Sequence, residues 1–149
     1  MMRPPARIWD SLKRFFQRPR RQKFLIIEAY LYLLLARSAV LLLPFKRVAS
    51  LIGSKGESPV EAVTSDIPAQ VQWSIVTASR YAFWNTLCLT QALAAKFMLN
   101  RRGLKSTLYL GTTRPSDEKF LAHAWLRCGE MIVTGEQGRE GYTVVACFS

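Results

Sequence analysis

His123 is the only histidine among 149 residues, so any imidazole chemistry in this chain runs through it. It sits in Phe120-Leu121-Ala122-His123-Ala124-Trp125-Leu126. Thirty-five residues earlier lies Cys88, in Trp84-Asn85-Thr86-Leu87-Cys88-Leu89-Thr90-Gln91-Ala92-Leu93-Ala94. A cysteine at a helix start and a histidine on a later strand can form a thiolate–imidazole pair, which is equipment for nucleophilic acyl chemistry. The free N–H groups and the dipole at a helix start favour an anion there. The same groups can donate to an oxyanion. Asn85 is placed to cap that helix, and Asn85 or Trp84 could face the substrate. The competing reading makes Cys88 a buried structural thiol and His123 a core histidine with a satisfied hydrogen bond.

An imidazole base needs a group to orient it. If Gly129-Glu130 forms a two-residue hairpin turn, Cys128 faces Met131, Trp125 faces Thr134 and His123 faces Glu136. Directly opposite residues share a sheet face at about 5 Å between Cβ atoms, which makes Glu136 the expected orienting acid. A one-residue slip would bring Gly135 or Gln137 opposite instead, and Glu136 would then be a solvated loop acid. Cys128 and Cys147 have no nearby base and read as small strand residues.

Other chemistries fit less well. The three cysteines are widely spaced and no Cys-x-x-Cys pair exists, so neither a zinc site nor a disulfide framework is expected. No metal or cofactor is called for. Reduced cysteines suit a cytoplasmic protein. The net charge is +11, but residues 1–55 hold twelve Lys or Arg against Asp10 and Glu28, leaving +1 for the other 94 residues. A basic front on a neutral catalytic half suggests docking onto something acidic, with Arg14, Arg18, Arg20 and Arg21 as candidate contacts. Nucleic acid is not favoured, because the basic residues flank an apolar helix and no recognised module is present.

The elements that would position Cys88 and His123 follow from periodicity. One domain over residues 1–149 is expected, with a basic and hydrophobic helical part at 1–53 and a catalytic part at 68–149. Ile8, Leu12, Phe15 and Phe16 follow one helical face, and Pro19 interrupts it. Residues 24–43 are apolar enough to span a bilayer, yet Glu28 and Arg37 lie inside, at about 2.5–3.5 kcal/mol each on insertion scales. A long buried helix is therefore preferred to a membrane anchor. A short helix to Gly53 and a polar linker over 53–66 follow. Residues 68–83 are expected as helix, with Val71, Ile75, Ala78, Ala82 and also Trp73 and Val76 turned inward. Residues 86–102 form the clearest helix, stopped by Asn100-Arg101-Arg102-Gly103, with Arg101 and Arg102 read as a solvated end. After Gly103 the period changes to two. Strands are expected at 104–110, 121–127, 131–134 and 142–148, with a polar loop at 112–119. The fold class is α+β, helices first and then an antiparallel sheet.

Taken together, Trp84–Ala94, Arg101-Arg102-Gly103-Leu104 and Ala122-His123-Ala124-Trp125-Leu126 resemble the transglutaminase-like maturation proteases of lasso-peptide gene clusters. The closing Tyr142-Thr143-Val144-Val145-Ala146 and the apolar helix ending in Leu43-Pro44-Phe45 are similar to that family as well. The resemblance implies a papain/transglutaminase-like cysteine peptidase that removes the leader from a ribosomally made precursor peptide. Cys88 would be the nucleophile and His123 the general base and acid. It also implies an acid a dozen or so residues past the histidine, and no Asp follows Asp117 here. Glu136 could fill that role, or a dyad could suffice. The chain has no room for a leader-recognition domain, so a separate recognition protein is expected to deliver the precursor, with a cyclase taking the product.

Overall fold

The computed structural model describes residues 6–113 and 121–149. Five helices precede a four-stranded antiparallel sheet: α1 (Ala6–Phe16), α2 (Arg20–Leu42), α3 (Phe45–Ile52), α4 (Ile67–Tyr81), α5 (Cys88–Arg101), then β1 (Thr107–Thr113), β2 (Leu121–Cys128), β3 (Met131–Thr134) and β4 (Thr143–Phe148). The sheet order is β3-β2-β1-β4. The expected α+β architecture is present. β1 runs on to Thr113, two residues into the expected 112–119 loop, and most of that loop lies outside the described residues.

Proline and glycine set the boundaries. Pro19 and Pro44 occupy the N-cap positions of α2 and α3, and Pro68 lies in the first turn of α4, where a missing N–H costs nothing. Gly103 takes φ 72° after α5. Its N–H donates to Asn100 O and that of Leu104 to Leu99 O, closing the helix as the sequence predicts.

The three longest helices, α2, α4 and α5, form one layer. Ile26, Leu33, Val71, Ile75, Leu93 and Met98 interlock there with no more than 3% exposure. On α4, Val71, Ile75 and Ala78 are buried as expected, but Val76 faces solvent. α5 is buried on most sides because the sheet covers its second flank. Ala124, Leu126 and Cys128 of β2 join the same core.

α2 departs from the buried-helix expectation. Ile26, Ala29, Leu33 and Ala36 are buried. Its exposed positions are Arg20, Arg21, Phe24, Ile27, Leu31, Leu34, Leu35, Ser38, Leu41 and Leu42. Two apolar stripes thus share one helix, one packed and one facing outward. The helix is long and apolar enough to cross a membrane by length and composition. Its two internal charges turn inward. Glu28 accepts from Arg101 (Nη1–Oε1, 3.1 Å) and from Arg102 (Nη2–Oε2, 2.7 Å), and Arg37 donates to Asn85 O at 3.4 Å. Arg102 is therefore not a solvated helix end. It makes a two-toothed bond to Glu28 and also donates to Met98 O.

Candidate active site

Cys88 is the first residue of α5, half-buried, with Leu87 as N-cap and no side-chain capping bond. The first-turn N–H groups of α5 are therefore not claimed by a cap side chain, and they carry the positive end of the helix dipole. Asn85 is not the cap. It lies two residues too early, exposed, with its carbonyl held by Arg37. The Gln91 side chain instead ties down the approach, donating to the Thr86 carbonyl and hydroxyl at 3.1 Å each. Trp84 packs 5.5 Å from Tyr30, under the Arg37 guanidinium at 5.7 Å. Its indole Nε1 is buried without a hydrogen-bond partner. An unpaired buried donor calls for an explanation, and a ligand oxygen that reaches it on binding is one.

His123 is half-buried near the start of β2, opposite Gly111 of β1. Its ring lies 6.0 Å from that of Trp125 and 5.2 Å from that of Tyr142. Trp125 stacks in turn on Tyr109 at 5.6 Å and 10°, and Gly111 leaves room for the indole: a Cβ there would meet it at 2.7 Å. Nε2 of His123 is 2.8 Å from the carbonyl oxygen of Gly135. A carbonyl only accepts, so Nε2 carries the proton in this bond and Nδ1 keeps its lone pair in the neutral ring.

The expected register around Glu136 does not hold. Cys128 pairs with Met131 as the two-residue turn requires, and Arg127 with Ile132, but Leu126 then pairs with Thr134. Val133 is the extra residue of a bulge, which shifts everything beyond it by one place. Trp125 therefore does not face Thr134. The paired strand ends before Glu136, which is exposed in the following turn with its carbonyl accepting from Arg139 N–H. Among the described residues no hydrogen bond or ion pair joins Glu136 to His123. What lies twelve residues past the histidine is Gly135, at φ 75°. A Cβ there would collide with Ala124 O and reach Trp125 Cβ at 2.8 Å, so only glycine brings this carbonyl onto the imidazole. The signal in the sequence was the glycine itself, since a glycine closing a strand marks a bulge or a close backbone approach.

Cys88 and His123 both lie away from the contact that joins the middle of α5 to the end of β2. There Lys96 Nζ donates to Ser106 O at 2.7 Å and the Cys128 thiol to Lys105 O at 3.4 Å. From there α5 runs back about 12 Å to Cys88, and β2 about 17 Å to His123. The imidazole is nevertheless turned to the other face of the sheet. Ala124, Leu126 and Cys128 point into the core shared with α5, while Trp125 and Tyr109 are buried outside it, and alternation puts His123 with Trp125. No hydrogen bond joins Cys88 to His123 among the described residues.

Burial shapes two other groups near α5. It pushes the Lys96 ammonium below its usual range and the Cys128 thiol above its own. Neither lies at the Cys88 end. Among the described residues no three His, Cys, Asp or Glu side chains cluster as metal ligands would.

No curated protein and no solved structure matches this sequence. The transglutaminase-like superfamily profile does match, over residues 32–147. The matched segment begins within α2 and takes in Cys88, His123 and nearly all of β4, so helix, sheet and both chemical groups fall inside it. By that match the chain belongs to the transglutaminase-like superfamily.

Proposed function

We propose that this chain is a cysteine peptidase that removes the leader from a ribosomally made lasso precursor peptide. In this reading a separate recognition protein delivers the precursor and a cyclase takes the freed core. The observation that carries it is Cys88 as the first residue of α5, beside uncapped N–H groups, in a chain of transglutaminase-like family. The motifs around Cys88 and His123, in that order, support the lasso-peptide subtype.

The steps follow from the residues. Cys88 Sγ attacks the scissile carbonyl as its proton passes to Nδ1 of His123. First-turn N–H groups of α5 and the unpaired Trp84 Nε1 receive the developing oxyanion. The imidazolium then protonates the leaving amine, and the leader remains as a thioester on Cys88. Water, activated by the same nitrogen, hydrolyses the thioester and releases the leader acid. The Gly135 carbonyl orients the imidazole in the place a carboxylate would take. The mechanism requires His123, whose ring faces away from the α5 core and bonds the Gly135 carbonyl in the free chain, to turn toward Cys88 in the precursor complex.

A second reading draws on the same placement. His123 completes an aromatic layer with Trp125, Tyr109 and Tyr142, as a structural histidine in a non-enzymatic scaffold would. Mass spectrometry of a precursor co-expressed with wild-type or Cys88→Ala protein separates the two. The peptidase reading expects leader-free core with wild type alone. Equal cleavage with both, or none with wild type when recognition protein is present, sinks it.

A further inference from the structure

The outward stripe of α2 is unusual for a soluble surface. Beyond Arg21 every exposed position to the end of the helix is a large apolar residue except Ser38, whose hydroxyl is bonded back to Leu34 O. Phe24 is 70% exposed, Leu35 61% and Leu42 79%. The stripe from Phe24 to Leu42 is about 27 Å long, and isolated apolar residues are normal on a surface whereas a contiguous band is not. The neighbouring helices add exposed apolar residues: Trp9 and Phe16 of α1 and Phe45 of α3 are all more than half exposed.

Charge frames this band. Arg20, Lys13 and Arg14 are exposed before it, Lys46 and Arg47 after it. The one acid of α2, Glu28, is turned into the protein and held by Arg101 and Arg102. A second copy is a poor occupant, because either orientation of paired α2 helices sets cation against cation at both ends. A bilayer span is excluded while α2 keeps its inner face: Ile26, Ala29, Leu33 and Ala36 are locked against the core.

We propose that α2 lies in the plane of an anionic phospholipid membrane, with its outer stripe in the interface and the basic residues of α1 to α3 on the lipid headgroups. An apolar face flanked by Lys and Arg is the pattern of in-plane membrane helices, and each such cation adds to attraction by anionic lipid. The rest of the molecule then stands above the surface, and Cys88 plays no part in attachment.

Vesicle co-sedimentation of the full chain tests this. Wild type is expected to pellet with vesicles of phosphatidylcholine and phosphatidylglycerol in equal parts, to stay largely in solution with phosphatidylcholine alone, and to be released by salt. Leu31→Glu with Leu35→Glu should weaken binding by more than about tenfold. Arg20→Glu with Lys46→Glu should cost about fivefold per charge and flatten the salt dependence; these four positions are exposed, and an unchanged circular-dichroism melt confirms folding. Cys88→Ala should bind as wild type, which separates this result from the peptidase reading. The proposal is overturned if wild type ignores both vesicles, if the leucine variants bind unchanged, or if high salt and carbonate fail to release it, as for a true span. A dimer by light scattering that the leucine variants dissolve, without vesicle binding, or capture of the stripe by the recognition protein alone, also overturns it.

Discussion

In the proposed mechanism a single backbone oxygen does for His123 what a carboxylate does in many thiol enzymes. The Gly135 carbonyl fixes which ring nitrogen holds the proton, but it brings no negative charge to offset an imidazolium. Its position depends on a positive φ and on the absence of a Cβ. Gly135→Ala is therefore expected to displace the carbonyl and lower kcat by about 100-fold, with KM little changed, in single-turnover precursor cleavage. Glu136→Gln should leave kcat within about twofold of wild type, since the carboxylate is exposed and makes no bond to the ring. A large loss in Glu136→Gln with none in Gly135→Ala would return the orienting role to the acid. Trp84→Phe keeps the packing against Tyr30 but removes the unpaired indole donor. It should reduce kcat by about 100-fold if that donor meets the oxyanion, with the Tm nearly unchanged.

Element by element, what could be read from sequence depended on whether the cause is local. Pro68 and Gly103 act through their own backbone angles, so the start of α4 and the stop of α5 were legible. The change from period three-four to period two after Gly103 was legible too, because alternation belongs to the strand alone. The bulge at Val133 was not. It depends on which of two nearly equivalent pairings the sheet and the Trp125 side chain accept, and one extra residue was enough to remove Glu136 from the strand. Nor could α2 be read correctly, since apolar residues on both sides say nothing about which side is covered. The two stripes should differ sharply on mutation. Leu33→Ala, at a fully buried site, should cost about 2–5 kcal/mol in urea unfolding. Leu35→Ala, 61% exposed, should stay within about 0.5 kcal/mol.

Across the whole molecule, Glu28 ties the N-terminal helices to the helix that carries Cys88. The hydrogen bond from Arg102 outweighs burial and holds the Glu28 carboxyl below its usual range, with Arg101 adding to the effect. A carboxyl depressed on folding contributes stability above its unfolded value, and that contribution fades as pH falls through the folded one. Glu28→Gln should therefore lose about 2 kcal/mol at neutral pH, and the gap to wild type should close below the ordinary carboxylate range. Denaturant melts at a series of pH values would show this, and a gap that persists in acid would refute the ion-pair account. The pairing joins residues more than seventy positions apart, which is why Arg102 passed for an ordinary helix-ending cation in the sequence.

Lys96, deep between α5 and β1 with its amine on the Ser106 carbonyl and only 1% of the residue exposed, gives the chain an internal clock. Acylating reagents that tag exposed amines within seconds would have to wait for this one until the helix–sheet interface opens. The rate at which Lys96 is tagged, followed by peptide mapping, therefore times the opening of the molecule without any substitution in the chain.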